Sequence, residues 1–261
     1  MDVTILIVEY HCIWQVSTCI ASLRKWLGTL EWECVVVSNS EYTERENNKY
    51  RDELACDHYA ASPKNLGYAG GVNLGAKYST APLLFILNPD SILQDTSVVG
   101  MIRWFSELST TGAAGPKVVD EEGLLQPSCR RFPYPWTFLL TRSFLSKTAA
   151  GKRESSRYFM GEFDHQQSCY VDWVSGGAML IDVKALNAVG GFDERYFLYM
   201  EDVDFCKSLY NVGYKVAYYT EASVMHAGQH ASIKAGPSAF MTPHVRWHLS
   251  SLLKYFMKWG L

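Results

Sequence analysis

Three acidic residues, Glu201, Asp202 and Asp204, stand within four positions of one another and among apolar neighbours. A half-buried carboxylate in such surroundings has a raised pKa and can accept a proton from an alcohol, which is general-base chemistry. On a helix Glu201 and Asp204 face one way, whereas Asp202 points about 100° aside. We therefore predict that these acids have separate roles, one structural and one catalytic. Capping of a helix start is the alternative role, since acids there favour the helix dipole.

Asp90 supplies a further carboxylate at the end of a predicted strand, in the segment Leu87-Asn88-Pro89-Asp90. Pro89 stops the strand and leaves Asp90 at the mouth of the sheet. A carboxylate held there can bind a divalent cation such as Mg²⁺ that bridges two phosphates. His226 closes another predicted strand, and an imidazole ligand would favour Mn²⁺ over Mg²⁺. A plain turn at Asp90 and a structural histidine are the alternatives.

Glycines and asparagines crowd residues 65–73, which include Asn65, Gly67, Gly71 and Asn73. The glycines let the backbone approach a ligand closely, and the amide side chains supply donors and acceptors. The spacing is not that of the glycine fingerprint for dinucleotides, so a dinucleotide cofactor is disfavoured. A glycine-rich helix start is the alternative.

Strand and helix patterns alternate through the first half of the chain. The strand patterns cover residues 3–8, 34–37, 57–61 and 83–87, and the helix patterns cover residues 13–27, 69–78 and 97–108. This alternation predicts a parallel sheet covered by helices on both faces. Ligands bind at the carboxyl ends of the strands in such sheets. The polar residues at these ends include Glu9, Ser38, Asn39, Asn88 and Asp90.

The second half of the chain has a less regular pattern. Residues 121–167 contain three prolines and no clean periodicity, which predicts an irregular insertion or an acceptor-facing loop. Strands are predicted at residues 170–173, 178–182, 215–219 and 223–226, and helices at residues 183–189 and from residue 201 onward. Residues 243–259 have the pattern of an amphipathic helix. Its predicted apolar face comprises Val245, Leu249, Leu252 and Phe256.

The composition limits the class of protein. A chain of 261 residues with 48% hydrophobic content fits one large α/β domain with a C-terminal appendage. The net charge of -3 gives no reason to expect nucleic acid as a partner. Seven scattered cysteines indicate neither a disulfide framework nor a zinc site, which favours a reducing cytosol. The acidic second residue argues against a signal peptide, and no apolar run is long enough to span a bilayer.

Basic residues are concentrated in two places. Residues 129–158 contain seven Lys and Arg residues against one acid, Glu154. No Asp or Glu follows Glu221, whereas Lys and Arg do. Such zones on an acidic protein suggest anionic partners, and a solvated surface is the alternative.

The ordered conjunction of these motifs resembles the family 2 glycosyltransferases, and within them the rhamnosyltransferases of bacterial O-antigen and cell-surface polysaccharide synthesis. The matching segments are VEYH (8–11), NLGYAGGVN (65–73), LNPD (87–90), DWVSGGAML (172–180), GGFDERYFLYMEDVD (190–204) and VMH (224–226). Residues 245–249 are also similar to the tail of O-antigen rhamnosyltransferases. The resemblance covers nearly the whole chain.

The resemblance implies a GT-A fold over residues 1–240. Residues 1–118 would form the nucleotide-sugar-binding half, residues 119–240 the acceptor-binding half, and residues 241–261 a C-terminal amphipathic helix. By the same resemblance Asp202 is the catalytic base with Glu201 beside it, and Asp90 and His226 hold Mg²⁺ or Mn²⁺. The nucleotide sugar would be bound by Glu9, Ser38, Asn39, Asn65, Gly67, Gly71, Asn73, Asn88 and Asp90. The donor sugar and the acceptor would meet at Trp173, Ser175, Gly176 and Gly177.

The reaction implied is an inverting transfer of a sugar, rhamnose from dTDP-rhamnose in the first instance, to a glycan acceptor on a lipid pyrophosphate. UDP-galactofuranose or a UDP-hexose is the alternative donor. A non-catalytic nucleotide-sugar-binding scaffold is the alternative from another class. The implied location is the cytoplasm, at the cytoplasmic face of the inner membrane if the C-terminal helix rests on lipid. That helix could equally dock on the protein core or pair two subunits.

Two departures from the family pattern concern nucleoside recognition. Glu9-Tyr10-His11 stands where the family usually has Asn-Tyr-Asn, and Ser38-Asn39 where it usually has Asp-Asn. The missing aspartate leaves open a changed donor or a loss of activity. Because Asp90, Asp202 and the glycine loop are all present, we expect an active enzyme.

Overall fold

The computed structural model describes residues 1–226 and 242–260. The first half of the chain alternates strands and helices, as the hydrophobic pattern predicts. Its elements are β1 (Val3–Glu9), α1 (Ile13–Trp26), β2 (Trp32–Ser38), α2 (Glu44–Leu54), β3 (His58–Ala61), α3 (Gly67–Ala76), β4 (Leu83–Leu87), β5 (Ser91–Ile92), α4 (Ser97–Ser106) and β6 (Thr111–Val119).

The second half contains more regular structure than the sequence predicts. Its elements are β7 (Leu125–Gln126), β8 (Cys129–Arg130), α5 (Thr137–Arg142), a 3-10 turn (Phe144–Lys147), α6 (Ala149–Tyr158), β9 (Cys169–Val171), β10 (Trp173–Val174), β11 (Ala178–Asp182), α7 (Val183–Ala188), α8 (Glu201–Asn211), β12 (Lys215–His226) and α9 (Pro243–Trp259). The prediction of an irregular segment at 121–167 is wrong for α5 and α6. Both helices are short, and α6 buries only Gly151, Glu154 and Tyr158, so neither has a long apolar stripe.

The central sheet runs in the order β3-β2-β1-β4-β11-β6-β12-β5, with β7 on β6 and β9 on β12. The predicted parallel pairing is confirmed for β3, β2, β1 and β4. β11, which comes from the second half of the chain, lies between β4 and β6 and is antiparallel to both. The sheet is therefore mixed.

Three predicted strands differ in extent from those observed. The predicted strand at 170–173 is divided at Asp172 into β9, which pairs with β12, and β10, which pairs with β8. The two strands predicted at 215–219 and 223–226 are one long strand, β12, whose register against β6 shifts between Tyr219 and Ser223. The shift interrupts the hydrophobic alternation, which explains why the pattern suggests two strands.

The core lies on both faces of the sheet. One cluster includes Val8 and Val72 and extends to α8, and the other includes Ile5 and Leu23 under α1. Because side chains alternate between the two faces of a strand, β1 contributes to both clusters. This two-sided burial fixes the strand ends, where the polar residues stand.

Helix α9 docks on the protein through its polar as well as its apolar residues. Tyr255 is fully buried, and the hydroxyl of Ser251 donates a hydrogen bond of 2.9 Å to the carbonyl of Leu198. Leu249, which the sequence places on the apolar face, is 54% exposed and points outward. The predicted face is therefore wrong at Leu249, because specific hydrogen bonds to the protein set the rotation of the helix. The proposed division after residue 240 lies outside the described residues, and the division after residue 118 stays a prediction.

Candidate active site

Two consecutive residues with a left-handed backbone conformation precede the acidic first turn of α8. Tyr199 and Met200 have φ angles of 69° and 70°, which are rare for residues other than glycine. Such strained conformations cluster at functional sites, where the surrounding structure holds them. They place Glu201 and Asp202 at the wall of one cavity of about 220 Å³.

The carboxylate of Asp202 is fixed by two backbone amides. Oδ2 accepts a hydrogen bond of 3.1 Å from the amide of Gly176, and Oδ1 accepts one of 2.8 Å from the amide of Val203. Burial raises the pKa of Asp202, while these amides and the charge of Arg130 oppose the rise. The result is an oriented carboxylate with enhanced basicity.

Glu201 differs from Asp202 in its surroundings. It is 7% exposed, and its Oε2 has no hydrogen-bond partner within the described residues. Burial, and next the charge of Asp202, raise the pKa of Glu201 well above its ordinary value. Glu201 therefore resists ionisation more strongly than Asp202, whose carboxylate is stabilised by two amides and by Arg130.

Asp204 belongs to a different environment. Its carboxylate accepts hydrogen bonds from Tyr196 at 3.1 Å, from Lys258 at 2.6 Å and from Trp259 at 2.8 Å. Glu201 lines the cavity of Asp202, whereas the carboxylate of Asp204 binds the end of α9, so the two acids have separate environments. Asp204 therefore has the structural role expected for one of the acids, because its hydrogen bonds hold α9 against the protein.

Asp90 and His226 come together at the other side of the site. Nε2 of His226 lies 3.1 Å from Oδ1 of Asp90 and 3.1 Å from Nδ2 of Asn88. The antiparallel pairing of Ser91 with His226 holds β5 and the end of β12 in this register. An oxygen and a nitrogen donor at this separation suit Mn²⁺ or Mg²⁺.

The fit of a divalent cation can be judged from the donors that surround this pair. Within residues 1–226 and 242–260, no group of three or more His, Cys, Asp or Glu side chains could hold a metal ion. Mg²⁺ is usually bound by one or two carboxylates together with substrate phosphates and water. The Asp90–His226 pair therefore fits a cation that a diphosphate helps to hold.

A single turn joins the two halves of the site. The carbonyl of Gly177 accepts hydrogen bonds from the amide of Asn88 at 2.9 Å and the hydroxyl of Ser91 at 3.2 Å. On the other side, Gly176 binds Asp202 through its amide and accepts a hydrogen bond of 2.6 Å from the Tyr68 hydroxyl. Residues 175–177 therefore position both acidic groups at once.

The cavities on the two sides of this turn adjoin each other. The cavity beside Asp90 and His226 has a volume of about 170 Å³ and is lined by Asn88 and His226. The larger cavity is lined by Asp202. Ser175 and Arg130 line both cavities. The histidine partner of Asp90 and Asp202 thus line adjoining cavities that share Ser175 and Arg130.

Side-chain hydrogen bonds hold the glycine-rich segment in place. Asn39 donates a hydrogen bond of 2.9 Å to the carbonyl of Gly67, whose amide donates one of 2.9 Å to Asn65. Gly67 has a φ of 72°, and a Cβ there would lie 2.3 Å from the carbonyl oxygen of Phe197. A Cβ at Gly71 would lie 2.5 Å from Val8. These glycines allow α3 to pack closely against the sheet and the segment before α8.

Asn73 has a comparable bridging position. Its side chain exchanges two hydrogen bonds of 2.8 Å with the backbone of Phe192 and donates one of 2.9 Å to Glu194. These contacts explain the packing of Asn73. Nucleotide binding by Asn39, Asn65, Gly67, Gly71 and Asn73 stays a prediction.

Glu9 is fully buried at the end of β1. Its carboxylate accepts hydrogen bonds from the hydroxyls of Ser38 and Ser40, the latter at 2.9 Å, and from the amide of Cys12 at 3.3 Å. Glu9 and Ser38 replace the usual family residues as one network, which organises the loops after β1 and β2. Direct contact of Glu9 or Ser38 with a nucleoside stays a prediction.

Trp173 lies in the wall of the larger cavity. Its indole Nε1 donates a hydrogen bond of 3.0 Å to the carbonyl of Arg131, and its ring stacks under the guanidinium of Arg130 at 5.0 Å. Ser175 lines the same cavity. Two of the four residues expected to meet the sugar and the acceptor thus line the cavity of Asp202, and Gly176 and Gly177 form the adjoining turn.

Several residues that line this cavity are not predicted from the sequence to belong to the site. They are Arg130, Phe138, Arg142, Tyr158, Tyr199 and His248. The basic zone at 129–158 contains the signal for Arg130 and Arg142, because it indicates an anionic partner. No local pattern points to His248, since only the docking of α9 brings it to the cavity.

The mixed sheet, with an antiparallel strand among parallel ones and acids at the strand ends, is that of the GT-A fold. Residues 4–163 match Glycosyl transferase family 2, and the chain therefore belongs to this family. Residues 120–258 also match Glycosyl transferase family group 2.

Similar proteins include rhamnosyltransferases. The chain is 29% identical over 194 residues to the N-acetylglucosaminyl-diphospho-decaprenol L-rhamnosyltransferase of Mycobacterium tuberculosis, covering 69% of this chain and 61% of that protein. It is 26% identical over 216 residues to the rhamnosyltransferase WbbL of Escherichia coli K12, covering 78% of this chain and 76% of that protein. The chain thus spans less than two thirds of the mycobacterial relative.

Solved structures share the fold. A GalNAc-T7 structure with UDP, GalNAc and Mn²⁺ has a TM-score of 0.66 at 14% identity, covering 98% of this chain and 47% of that one. The mannosyltransferase PcManGT from Pyrobaculum calidifontis with GDP-Man and Mn²⁺ has a TM-score of 0.58 at 15% identity, covering 98% of this chain and 64% of that one. At these identities the likeness concerns the fold alone.

Proposed function

We propose that this chain is an inverting, metal-dependent glycosyltransferase that moves a sugar from a nucleotide-diphosphate donor to a hydroxyl of a glycan acceptor. The observation that supports this most directly is the pair of adjoining cavities. They are lined by the oriented, basic carboxylate of Asp202 on one side and by the histidine of the Asp90–His226 pair on the other.

The chemistry assigned to Asp202 is general-base catalysis. The acceptor hydroxyl is a poor nucleophile at neutral pH, so the Asp202 carboxylate takes its proton while the oxygen attacks the anomeric carbon. The bond between that carbon and the phosphate oxygen breaks, and its electron pair leaves with the nucleoside diphosphate. Attack from the face opposite the leaving group inverts the configuration.

The residues around Asp202 prepare it for this step. The amides of Gly176 and Val203 fix the direction of its carboxylate. The raised pKa of Glu201 disfavours a second negative charge in the cavity. A divalent cation held by Asp90 and His226 would supply Lewis-acid stabilisation of the charge on the departing diphosphate.

The similarity to the mycobacterial and E. coli rhamnosyltransferases supports dTDP-rhamnose as the donor and a sugar linked to a lipid diphosphate as the acceptor. UDP-galactofuranose or a UDP-hexose is the alternative donor, and the replacement of the usual Asp-Asn by Ser38-Asn39 favours testing both. The proposed site of action is the cytoplasmic membrane surface. Within the described residues, no helix combines the length and hydropathy needed to cross a bilayer.

The outward face of α9 supports contact with a membrane surface. Leu249, Leu253 and Met257 are 54%, 63% and 73% exposed, and they follow one another at a spacing of four residues. Phe144, next to α5, is 83% exposed. Exposed apolar groups near basic residues suit the headgroup region of an anionic bilayer.

A panel of nucleotide sugars with Mn²⁺ or Mg²⁺ tests the proposal. We expect slow donor hydrolysis with one donor, and transfer when N-acetylglucosaminyl diphosphate with an undecyl tail is added. The anomeric configuration of the product, measured by NMR, should be opposite to that of the donor. Binding of a nucleotide sugar without hydrolysis or transfer would favour a non-catalytic scaffold instead.

A further inference from the structure

The basic zone at 129–158 contains two kinds of arginine. Arg131 pairs with Asp172 at 3.2 Å, and Arg157 pairs with Glu154 at 2.6 Å. Arg130 and Arg142 form no ion pair with a carboxylate of residues 1–226 or 242–260. Residues 227–241 contain no Asp or Glu that could serve as a partner. Arg153, which is exposed on α6, forms no such ion pair either, and of these three arginines only Arg130 and Arg142 line the cavity of Asp202.

Arg130 is held in place without a carboxylate. Its Nε and Nη2 donate hydrogen bonds of 3.2 and 3.0 Å to the carbonyl of Pro127. The guanidinium also lies over the rings of Trp173, Phe159 and Tyr158, at 5.0, 5.2 and 5.7 Å. A cation fixed by neutral groups keeps its charge available to a ligand.

Arg142 and His248 also line the cavity of Asp202. Arg142, at the end of α5, lies 5.0 Å over the ring of Phe138, and His248 of α9 contacts Phe138 and Tyr199 edge-on. Burial, and next the charge of Arg142, lower the pKa of His248 to about 4. His248 is therefore neutral at neutral pH and can donate one hydrogen bond.

Two arginines and one neutral histidine line the cavity together with Asp202 and Glu201. The raised pKa of Glu201 disfavours a second negative charge there. The single carboxylate of Asp202 offsets only one of the two guanidinium charges, so an anion that binds beside the arginines is favoured. The base and an anion-binding wall therefore belong to the same cavity.

We propose that Arg142 and Arg130, with His248, bind the diphosphate of the acceptor, so that the enzyme selects a sugar attached directly to a diphosphate. This inference rests on the proposed transferase function. Arg142 lines only the cavity of Asp202, whereas Arg130 lines both cavities and also borders the space assigned to the donor diphosphate. Arg142 thus acts on the acceptor, and Arg130 acts on both substrates.

The test uses two acceptors that differ only in the diphosphate: N-acetylglucosaminyl diphosphate with an undecyl tail, and the undecyl glycoside of the same sugar. Arg142→Met should lower kcat/KM for the diphosphate acceptor about 10- to 100-fold, the effect expected for a lost hydrogen bond to a charged group. It should leave kcat/KM for the glycoside acceptor and the KM of the donor unchanged. Arg142→Lys should have a smaller effect, because it keeps the charge and loses the planar fork.

Arg103→Met is the matched control, since Arg103 is exposed on α4 and lines neither cavity. It should leave kcat/KM unchanged for both acceptors. Arg130→Met should raise the KM of both the donor and the diphosphate acceptor. If Arg142→Met lowers kcat/KM equally for both acceptors, or leaves the ratio of the two kcat/KM values unchanged, the inference is overturned. The transferase proposal would remain intact.

Binding measured without donor separates the two proposals further. Quenching of tryptophan fluorescence reports occupancy near Trp173, and the diphosphate acceptor should bind the wild type at least about 10-fold more tightly than Arg142→Met. If the wild type transfers no sugar but shows this preference, the anion site stands and the transferase proposal fails. Equal affinities of wild type and Arg142→Met refute the anion site.

Discussion

Nε2 of His226 lies 3.1 Å from Oδ1 of Asp90, and the two residues reach this position from the ends of different strands. Ser91 of β5 pairs with His226 of β12, so the register of a two-residue strand sets the distance. The side chains of Asp90 and His226 are 17% and 23% exposed, which leaves the pair partly accessible. This geometry makes the cation role of the pair testable.

We expect Asp90→Asn and His226→Gln to raise the concentration of Mn²⁺ needed for half-maximal activity. Each change removes one of two protein donors, and at a fixed low cation concentration kcat/KM should fall at least about 100-fold. A cation titration of activity measures this. Asp52→Asn, on the exposed face of α2, is the control and should leave the titration unchanged. Coinciding titration curves for wild type and both variants would contradict the assignment.

The roles of Asp202 and Glu201 should separate by substitution. Asp202→Asn keeps the shape of the side chain but removes the base, so kcat should fall about 10²- to 10⁴-fold while donor affinity is retained. Glu201→Gln keeps a neutral group at a position that is already neutral, and should leave far more activity than Asp202→Asn. Single-turnover rates and donor titrations measure the two effects. Similar losses of rate in both variants would argue against Asp202 as the sole base.

The activity of the wild type should fall as pH falls through the raised pKa of Asp202, because protonation removes the base. Arg130 is the cation that opposes this rise, so Arg130→Met should move the acidic limb of the kcat profile to higher pH. The other groups that face Asp202 are Glu201, Tyr68 and Tyr158. All three are neutral in this range and should not reverse the shift. An unchanged acidic limb in Arg130→Met would show that its charge does not reach Asp202.

Glu201 also links stability to pH. Its folded-state pKa is raised, so its contribution to stability is present below the unfolded pKa and is lost as pH rises through the folded pKa. Glu201→Gln should therefore be more stable than wild type at high pH, by on the order of 1 kcal/mol, and should lose this advantage in acid. Thermal unfolding across a pH series measures the difference. A difference that is independent of pH would exclude titration of Glu201 as its cause.

Parts of this site follow from the sequence, and others depend on packing that no local pattern contains. Asp90 and His226 are recognisable because each ends an apolar run, and parallel-sheet geometry brings such ends to one edge. The start of α2 is marked by the Thr43–Glu46 capping box, yet the helix has no apolar stripe because only Leu54 is buried. The hydrophobic pattern therefore misses α2.

The central strand β6 is missed for a different reason. A Cβ at Gly112 would lie 2.9 Å from Leu209 of α8, and one at Gly115 would lie 2.8 Å from Val174. Close packing demands small residues here, and small residues give a weak strand signal. Arg142 and His248 come from elements that meet only in the folded protein, so sequence spacing could not unite them with Asp202.

Lys258 should be essential for docking α9. Its ammonium lies 2.6 Å from Asp204, which is 1% exposed, and 3.0 Å from Asp193. Lys258→Met leaves a buried carboxylate with Tyr196 and Trp259 as its remaining donors, and should lower the free energy of unfolding by about 2–3 kcal/mol. Lys152→Met, on the exposed side of α6, is the control. Urea unfolding measures both, and equal midpoints would mean that the Lys258 contacts contribute nothing.

The pH dependence of this effect has a definite sign. A hydrogen bond from Arg195, and in addition Lys258, hold the pKa of Asp193 below its ordinary value. The stability from this carboxylate is present above the unfolded pKa of about 3.9 and is lost as pH falls through the folded pKa. The difference between wild type and Lys258→Met should therefore shrink in strong acid. A constant difference would assign the effect to lost packing of the lysine stem.

The outward stripe of α9 provides the test of membrane contact. Because Ser251, Tyr255 and Lys258 fasten the opposite side of the helix, replacing Leu249, Leu253 and Met257 by serine should leave the fold intact. The triple variant loses three exposed apolar groups, each worth about 1 kcal/mol or more when buried in a bilayer. Its flotation with vesicles rich in phosphatidylglycerol should fall at least about 10-fold. Leu124→Ser, at an exposed leucine before β7, is the control. If the triple variant floats like wild type but sediments as a smaller particle, the stripe pairs two copies of the chain and does not contact lipid.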